Sequence, residues 1–423
     1  MAFSRQPNSP AAFGAGPSVV GLVLLVLLAA GVRGAWVIYR YGGEAAAGRL
    51  EFPDEQDYWS MARSLAAGRI MSDADGHYAT RMPGYPAFLS VWVGSERALV
   101  WARLSQALLG ASVVIPVTWL ARRLDGRRPA VVAGLLAAVD PFSVFFGGLL
   151  LSETLLTAAL WWLMWLTWPA CDARRAVFWA RWTVASATAA AGCYLHPSAA
   201  VLGPLVLGVA LLRTRPAGRS LLAGGAVACV MVLALSPWAH RNQRVIGQWR
   251  WLTTRAGISL YDGVGPLADG SSNLGYTRKM AEIQGLGEAE WDRYFRQEGL
   301  RLMRHDPGRV LRLAGVKLRR TWSPLPHAAE YQSAVYRALS AAWMVPLLLL
   351  TLLGAWSWRR RWPDVLLLLL PAIGLTAMHM ILPGSVRYRL PAMPGLLILA
   401  AGGVAGLGDY ARRFKTPHAT RTR

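Results

Sequence analysis

Acidic residues and cysteine are what this 423-residue chain is short of: 23 Asp and Glu stand against 45 Lys and Arg, with three cysteines in all. Cys171, Cys193 and Cys229 show no C-x-x-C spacing, which argues against a disulfide framework or a zinc site and leaves them as small apolar residues. There is no GxxxxGK[ST] phosphate loop, no GxGxxG opening a strand–helix unit and no internal repeat, so a nucleotide-driven motor is not expected. Charge is scarce as well. At 16% charged residues the chain falls well below the roughly 25% of a soluble domain. The net charge of +22 points first to nucleic acid, but much of the arginine sits in short turns between apolar runs, where anionic headgroups satisfy it. No nucleic-acid partner is expected.

What the chain has in abundance is apolar length. Hydrophobic residues make up 54%, there are 20 tryptophans, and the mean hydropathy is +0.31. Runs long enough to cross a bilayer recur, and about ten spans are read. They lie near 17–39, 98–121, 129–147, 150–168, 177–195, 198–213, 219–238, 334–356, 363–382 and 391–407. Only Gly147-Gly148 divides the third from the fourth. Arginine sets the orientation: Arg122-Arg123 with Arg127-Arg128, then Arg174-Arg175, then Arg213, Arg215 and Arg219 fall in alternate loops, and Arg359-Arg360-Arg361 and Arg412, Arg413 and Lys415 continue the series. Short Arg-rich loops stay in the cytoplasm. Both termini are therefore placed there, including a tail at 1–16 and a basic tail at 408–423. The apolar core near 19–30 is short like a signal peptide, but apolar residues continue to Tyr39 and favour an anchoring span. Residues 40–97 and 239–333 become two outer regions, separated by spans two to seven at 98–238 and followed by spans eight to ten at 334–407. The expected architecture is an all-α, multi-pass membrane bundle with a small outer-face loop domain.

In the first outer region, Phe52-Pro53-Asp54-Glu55-Gln56-Asp57-Tyr58-Trp59 opens a short amphipathic helix. Pro53 suits its first position and Asp54 and Glu55 its positive end, with Asp57 on the face of Asp54. By itself this pattern is ordinary dipole-complementing chemistry. Next come Asp73, Asp75 and His77, read as a solvated turn with a metal as the lesser reading, and then a rigid turn at Arg81-Met82-Pro83-Gly84-Tyr85-Pro86. Glu153, apolar on both sides, needs a polar cavity or an arginine partner. His196-Pro197 closes the fifth span at the outer face, and Pro237-Trp238 with Arg241-Asn242 the seventh. The second outer region reads as turn-rich and then helical, with Asp306-Pro307 capping a basic helix to Trp322 in which Lys317 is flanked by Val316 and Leu318. Two arginines around Tyr388, in the short outer link from Pro383 to Pro391, call for an anionic partner because outer links are normally poor in Arg.

Together, Pro53-Asp54-Glu55-x-x-Tyr58, Arg81-x-Pro83-Gly84-Tyr85-Pro86, Ser152-Glu153, Pro237-Trp238-x-x-Arg241-Asn242 and Arg387-Tyr388-Arg389-x-Pro391 resemble the GT-C superfamily of polytopic, lipid-sugar-dependent glycosyltransferases. The branch resembled is that of the protein O-mannosyltransferases and lipid A aminoarabinose transferases. The resemblance implies that the first acid of the outer-loop motif, here Asp54, acts on the acceptor. Asp57 is an extra acid, and Arg81 stands where the aminoarabinose branch keeps an acidic residue, so neither the acceptor nor a divalent metal is carried over. The family's soluble C-terminal domain has no counterpart after the tenth expected span.

The chemistry asked for is a carboxylate base for an acceptor hydroxyl and cations for the departing lipid phosphate. Asp54, Asp57 and Glu153 are the expected catalytic acids. Glu55, Tyr58, Arg81, Tyr85, His196, Arg241, Lys317, Arg387, Tyr388 and Arg389 are the expected substrate contacts. The expected partners are a polyprenyl-phosphate-linked sugar, a hydroxyl acceptor on protein, lipid A or envelope glycan, and the bilayer, with inversion at the anomeric carbon. The site is expected on the extracytoplasmic side of the inner or plasma membrane. A lipid or glycan transporter, a non-catalytic scaffold and an O-antigen-ligase-like enzyme using lipid diphosphates are the competing readings. The first should show inverted repeats, which are not seen.

Overall fold

The computed structural model describes residues 18–168, 175–212, 217–328 and 331–415. Cys171, Arg174, Arg213, Arg215 and the 1–16 tail lie outside them. Among the described residues there is no strand. The chain enters by α1 (Val19–Tyr41) and passes through the short α2 (Glu44–Ala47), α3 (Pro53–Ala66) and α4 (Gly84–Ser90). Two broken helices follow: α5 (Ala98–Ala111) with α6 (Val114–Asp125), and α7 (Arg127–Val139) with α8 (Pro141–Gly147). Next are α9 (Glu153–Thr167), α10 (Arg175–Leu195), α11 (Ala199–Leu212) and α12 (Ala217–Ile246). A second extramembrane stretch holds α13 (Ala256–Val264), α14 (Glu288–His305) and α15 (Pro307–Trp322). The chain closes with α16 (Ala334–Ser357), α17 (Trp362–Ile381), a 3₁₀ stretch at Val386–Ala392 and α18 (Met393–Lys415).

By length and composition, seven helical stretches among the described residues can cross a membrane: α1, α5–α6, α7–α8, most of α12, α16, α17 and the 3₁₀ stretch with α18. The other three expected spans are helical too. However, α9 and α11 have only 15 and 14 residues, and α10 is diluted by Arg, Ser and Thr. The expected break at Gly147-Gly148 is present as a turn between α8 and α9. One expected boundary is not where the sequence puts it, because α12 runs through Pro237 to Ile246. Proline removes the bond to the carbonyl four residues back, and the Ser236 hydroxyl donates to that Leu233 carbonyl at 2.9 Å instead. The stretch expected to be turn-rich contains α13, which buries Ile258 and Tyr261 against Phe295.

The main apolar core runs through α6, α7, α9–α11 and α16–α18, with Trp161 fully buried at its centre. Close crossing of α16 and α18 depends on Gly354, where a Cβ would overlap the Leu399 carbonyl. Polar groups inside the bundle serve helix ends. Arg33 of α1 donates to the Ala137 and Ala138 carbonyls at 3.0 and 2.9 Å, closing the end of α7. Asp140 caps α8 by accepting from the Ser143 N–H at 3.0 Å. At the opposite end from the basic α6–α7 turn, α3, α4, α13 and α15 gather with the 3₁₀ stretch. That is where the candidate site lies.

Candidate active site

The acidic helix starts where its sequence says it should, with Pro53 as its first residue. Glu55 fixes its position. One carboxylate oxygen accepts from the backbone N–H of Glu51 and Phe52 at 2.6 and 3.1 Å. The other accepts from Leu150 at 2.7 Å and faces Arg103 at 3.4 Å. A fully buried carboxylate with this set of partners has no lone pair aimed at a ligand. Glu55 therefore ties α3 to the turn before α9, and its expected substrate contact is not found here.

Asp54 and Asp57 lie one turn apart on the open side of α3. Asp54 is clamped between two guanidiniums: Arg81 holds one carboxylate oxygen and Arg387 the other, the latter at 2.6 Å. The same Arg81 nitrogen reaches Asp57 at 3.0 Å. Arg255, the residue just before α13, stands 3.9 Å from Asp57. On the far side of Arg387, its Nε forms an ion pair with Glu153, the first residue of α9, at 3.0 Å. Acids and bases thus alternate along a chain from Arg255 to Glu153 drawn from five separate stretches of sequence. Arg81 gets its place from the turn after α3: Gly84 lets α4 approach so near the end of α10 that a Cβ there would sit 2.7 Å from the Tyr194 carbonyl. Tyr58 braces Arg81 from below, with the guanidinium 5.1 Å from its ring and its hydroxyl 3.0 Å from Ser152.

This setting separates the two aspartates. Burial pushes the Asp54 carboxyl up, but Arg81, Arg387 and Arg255 outweigh it and hold it well below the usual carboxylate range. For Asp57, burial prevails over Arg81 and Arg255, and its carboxyl is raised. Beside Arg81, Arg255 is the least committed cation: the 3.9 Å pair with Asp57 is its only ion pair among the described residues, and its side chain is 30% exposed. His196 faces the same arginines. Burial first, then Arg387 and Arg81, lower its imidazole to about 3, so it is neutral at neutral pH. Its Nδ1 accepts from the Ser198 N–H at 3.2 Å, which leaves the ring proton on Nε2. Tyr388 carries Arg387 over its ring at 4.9 Å and stacks at 4.1 Å on His379.

The fit of a metal can be judged from the donors present. Among the described residues, no three of His, Cys, Asp and Glu converge on a point. Asp73 and His77 form a loop brace instead, with Asp73 accepting from the Asp75 and His77 N–H groups at 3.0 and 2.9 Å and from the Thr80 hydroxyl at 2.7 Å.

Comparison with known proteins locates this architecture. Residues 87–240 match the family model of dolichyl-phosphate-mannose-protein mannosyltransferase. The oligosaccharyltransferase AglB of Archaeoglobus fulgidus, solved with an inhibitory peptide and a dolichol-phosphate, superposes with a TM-score of 0.60 at 16% identity, covering 96% of this chain and 52% of that one. An Archaeoglobus fulgidus oligosaccharyltransferase tethered to an acceptor peptide gives 0.61 at 14% identity, covering 94% of this chain and 51% of that one. The fold is of the GT-C type. ArnT of Cupriavidus metallidurans, bound to undecaprenyl phosphate, is a looser likeness, with a TM-score of 0.44 at 18% identity over 95% of this chain and 82% of that one. No curated protein matches the sequence. The chain spans about half the length of the oligosaccharyltransferase chains it matches.

Within this GT-C bundle the remaining expected contacts are drawn elsewhere. Lys317 is fully buried and donates to the Met380 and Ile381 carbonyls at 3.3 and 2.5 Å, sealing the end of α17. Burial lowers its ammonium to about 8. Arg389 donates to the Thr321 and Ser323 carbonyls at 3.2 and 2.6 Å at the end of α15. Arg241 donates to Tyr78 and Met71 carbonyls at 2.8 and 3.1 Å, tying α12 to the first outer region. Tyr85 is fully buried behind Tyr58 with its hydroxyl on Gln106 at 2.5 Å. In each case the cation or hydroxyl meets backbone or buried amide rather than the open cluster. Arg255 is the site residue that the sequence does not announce. Its only signal is an arginine after Thr253-Thr254 at the start of an apolar helix, which says nothing of α3.

Proposed function

We propose that this chain is an inverting glycosyltransferase that moves a sugar from a polyprenyl-phosphate donor to a hydroxyl acceptor at the outer face of the membrane. One observation carries the reading: Asp54, on a helix standing beyond the apolar bundle, is gripped on both carboxylate oxygens by arginines from two distant loops. A carboxylate so held stays ionised, as a proton acceptor must, and the same guanidiniums can meet a phosphate.

The acceptor oxygen attacks the anomeric carbon, and the bond from that carbon to the phosphate oxygen breaks with its electron pair left on the phosphate. The acceptor proton passes to Asp54. With three carboxylates against three guanidiniums, the cluster is close to neutral before the donor arrives. An arriving phosphate draws first on Arg255, the exposed member, and then on Arg81 and Arg387. As the phosphate takes a share of their charge, the depression of Asp54 is relieved and its basicity recovers. The base is thus switched on by the donor. Direct displacement with one base gives inversion. Support for a lipid-linked donor comes from the dolichol-phosphate in the AglB complex. The proposed sidedness is supported by the far end of the bundle, where Arg361 reaches the Leu124 carbonyl and the Trp358 indole donates to Asp125 at 3.2 Å. These contacts bring Arg122-Arg123 and Arg359-Arg360-Arg361 together as a basic face, the kind of surface that short Arg-rich loops keep on the cytoplasmic side.

The test is transfer by purified protein in lipid from a polyprenyl-phosphate sugar. Asp54→Asn is expected to lose about 10²- to 10⁴-fold in rate with its folded yield unchanged. A variant that transfers at the wild-type rate rules out Asp54 as the base.

A further inference from the structure

We infer that Arg387 is the resident cation of this site: its guanidinium fills the place between Asp54 and Glu153 that a divalent ion would need, and transfer proceeds without a metal. This rests on the transferase reading above and adds to it the identity of the charge that joins the two acids. Asp54 and Glu153 come from different helices, α3 and α9, and carry the same charge. Bringing them to one point requires a cation between them. The structure supplies one. Nη2 of Arg387 donates to Asp54 at 2.6 Å, and its Nε lies 3.0 Å from Glu153 as an ion pair without a hydrogen bond, so one planar cation stands against both carboxylates.

Three features make this cation hard to replace. It is covalently attached and does not deprotonate, unlike an ion held by mass action. It is also held in place by stacking, with Tyr388 beneath the guanidinium and His379 parallel to Tyr388 with 6° between the rings. Finally, Arg81 already holds the other Asp54 oxygen, and Arg255 stands behind Asp57. A divalent ion entering beside three guanidiniums would meet three like charges and two carboxylates already engaged. Arg387 thus fixes Asp54 and Glu153 relative to each other and contributes positive charge where the phosphate departs.

Binding and transfer are measured separately, with Mn²⁺ as the probe followed by electron paramagnetic resonance on the full chain in nanodiscs. The wild-type protein is expected to hold no stoichiometric Mn²⁺ and to transfer in excess chelator within about twofold of its untreated rate, since the charge that stabilises the departing phosphate is the protein's own. Arg387→Ala is expected to lose transfer by at least about 10²-fold and to gain one Mn²⁺ site, which Glu153→Gln in the same background removes. Arg387→Lys keeps the charge but cannot bridge both acids, so it is expected to retain fold and only a fraction of the rate. The inference is overturned if the wild-type protein binds one Mn²⁺ that Glu153→Gln abolishes, if chelator stops transfer and Mn²⁺ restores it, or if folded Arg387→Ala gains no Mn²⁺ site. If no polyprenyl-phosphate sugar is turned over at all, the transferase reading fails, and the Mn²⁺ titration still decides the occupant.

Discussion

At the scale of single residues, neighbours separate acids that look alike in sequence. Asp54, Glu55 and Asp57 sit within one helical turn and a half, yet only the first and third face the open cluster. Replacing Glu55 by Gln removes the charge that faces the fully buried Arg103 and weakens three backbone contacts. An expected loss of about 3 kcal/mol, the scale for breaking a buried pair, should show in thermal unfolding of detergent-solubilised protein. By contrast, Arg255→Ala should leave unfolding unchanged. With its one pair at 3.9 Å and a part-exposed side chain, the residue contributes little to stability. Steady-state kinetics are expected to show a raised KM for the lipid donor and a rate loss of about 10²-fold. An Arg255→Ala enzyme with unaltered donor kinetics would remove it from the phosphate cradle.

Legibility differs residue by residue for the same reason. Asp54, Arg81 and Arg387, which the structure brings together, stand out in the sequence because each is anomalous where it stands: acid beyond a span, or arginine in a short link. Lys317 and Arg389 are equally anomalous, but sequence does not tell a phosphate from the carbonyl end of a helix as the partner of a buried cation. Arg255 is unremarkable locally, since its significance comes wholly from a helix about 200 residues earlier.

At the scale of elements, the two outer regions are joined along one seam. Glu288, at the start of α14, accepts from the Tyr78 and Ala79 N–H groups at 2.6 and 2.8 Å and from the Thr254 hydroxyl. Beside it His77 stacks on Trp291 at 5.7 Å and pairs with Asp73 at 3.4 Å. The Asp73 contact, opposed by burial and aided by Glu288 and Asp75, raises the His77 imidazole above 6.5. A group whose pKa is raised on folding adds stability that is complete below its unfolded value and is lost as pH rises through the folded one. The seam should therefore be tightest in mild acid and loosen above pH 6.5. Hydrogen exchange across residues 73–80 and α14 is expected to speed up over that interval in the wild type and to lose the step in His77→Gln. An identical pH step in the variant would assign it to another group. Of these elements, α14 and α15 were legible from Gly287-Glu288 and Asp306-Pro307. The passage of α12 through Pro237 was not, because it turns on one serine hydroxyl.

At the scale of the whole molecule, an apolar bundle with a basic face at one end carries a neutralised acid–base chain at the other. Hydropathy and arginine placement gave this plan, and the AglB superposition agrees with it as a fold. Distances between loops are set only when the helices pack, which is why the cluster's membership was the part left to the structure. The central claim is that a polyprenyl monophosphate leaves from this cluster with inversion of the sugar. It is tested most directly by giving the purified protein a polyprenyl-phosphate sugar of known anomeric configuration and following both products by mass spectrometry and NMR. The expected result is release of polyprenyl monophosphate together with a glycoside of opposite configuration. Retention of configuration, or no release of polyprenyl monophosphate, would contradict it.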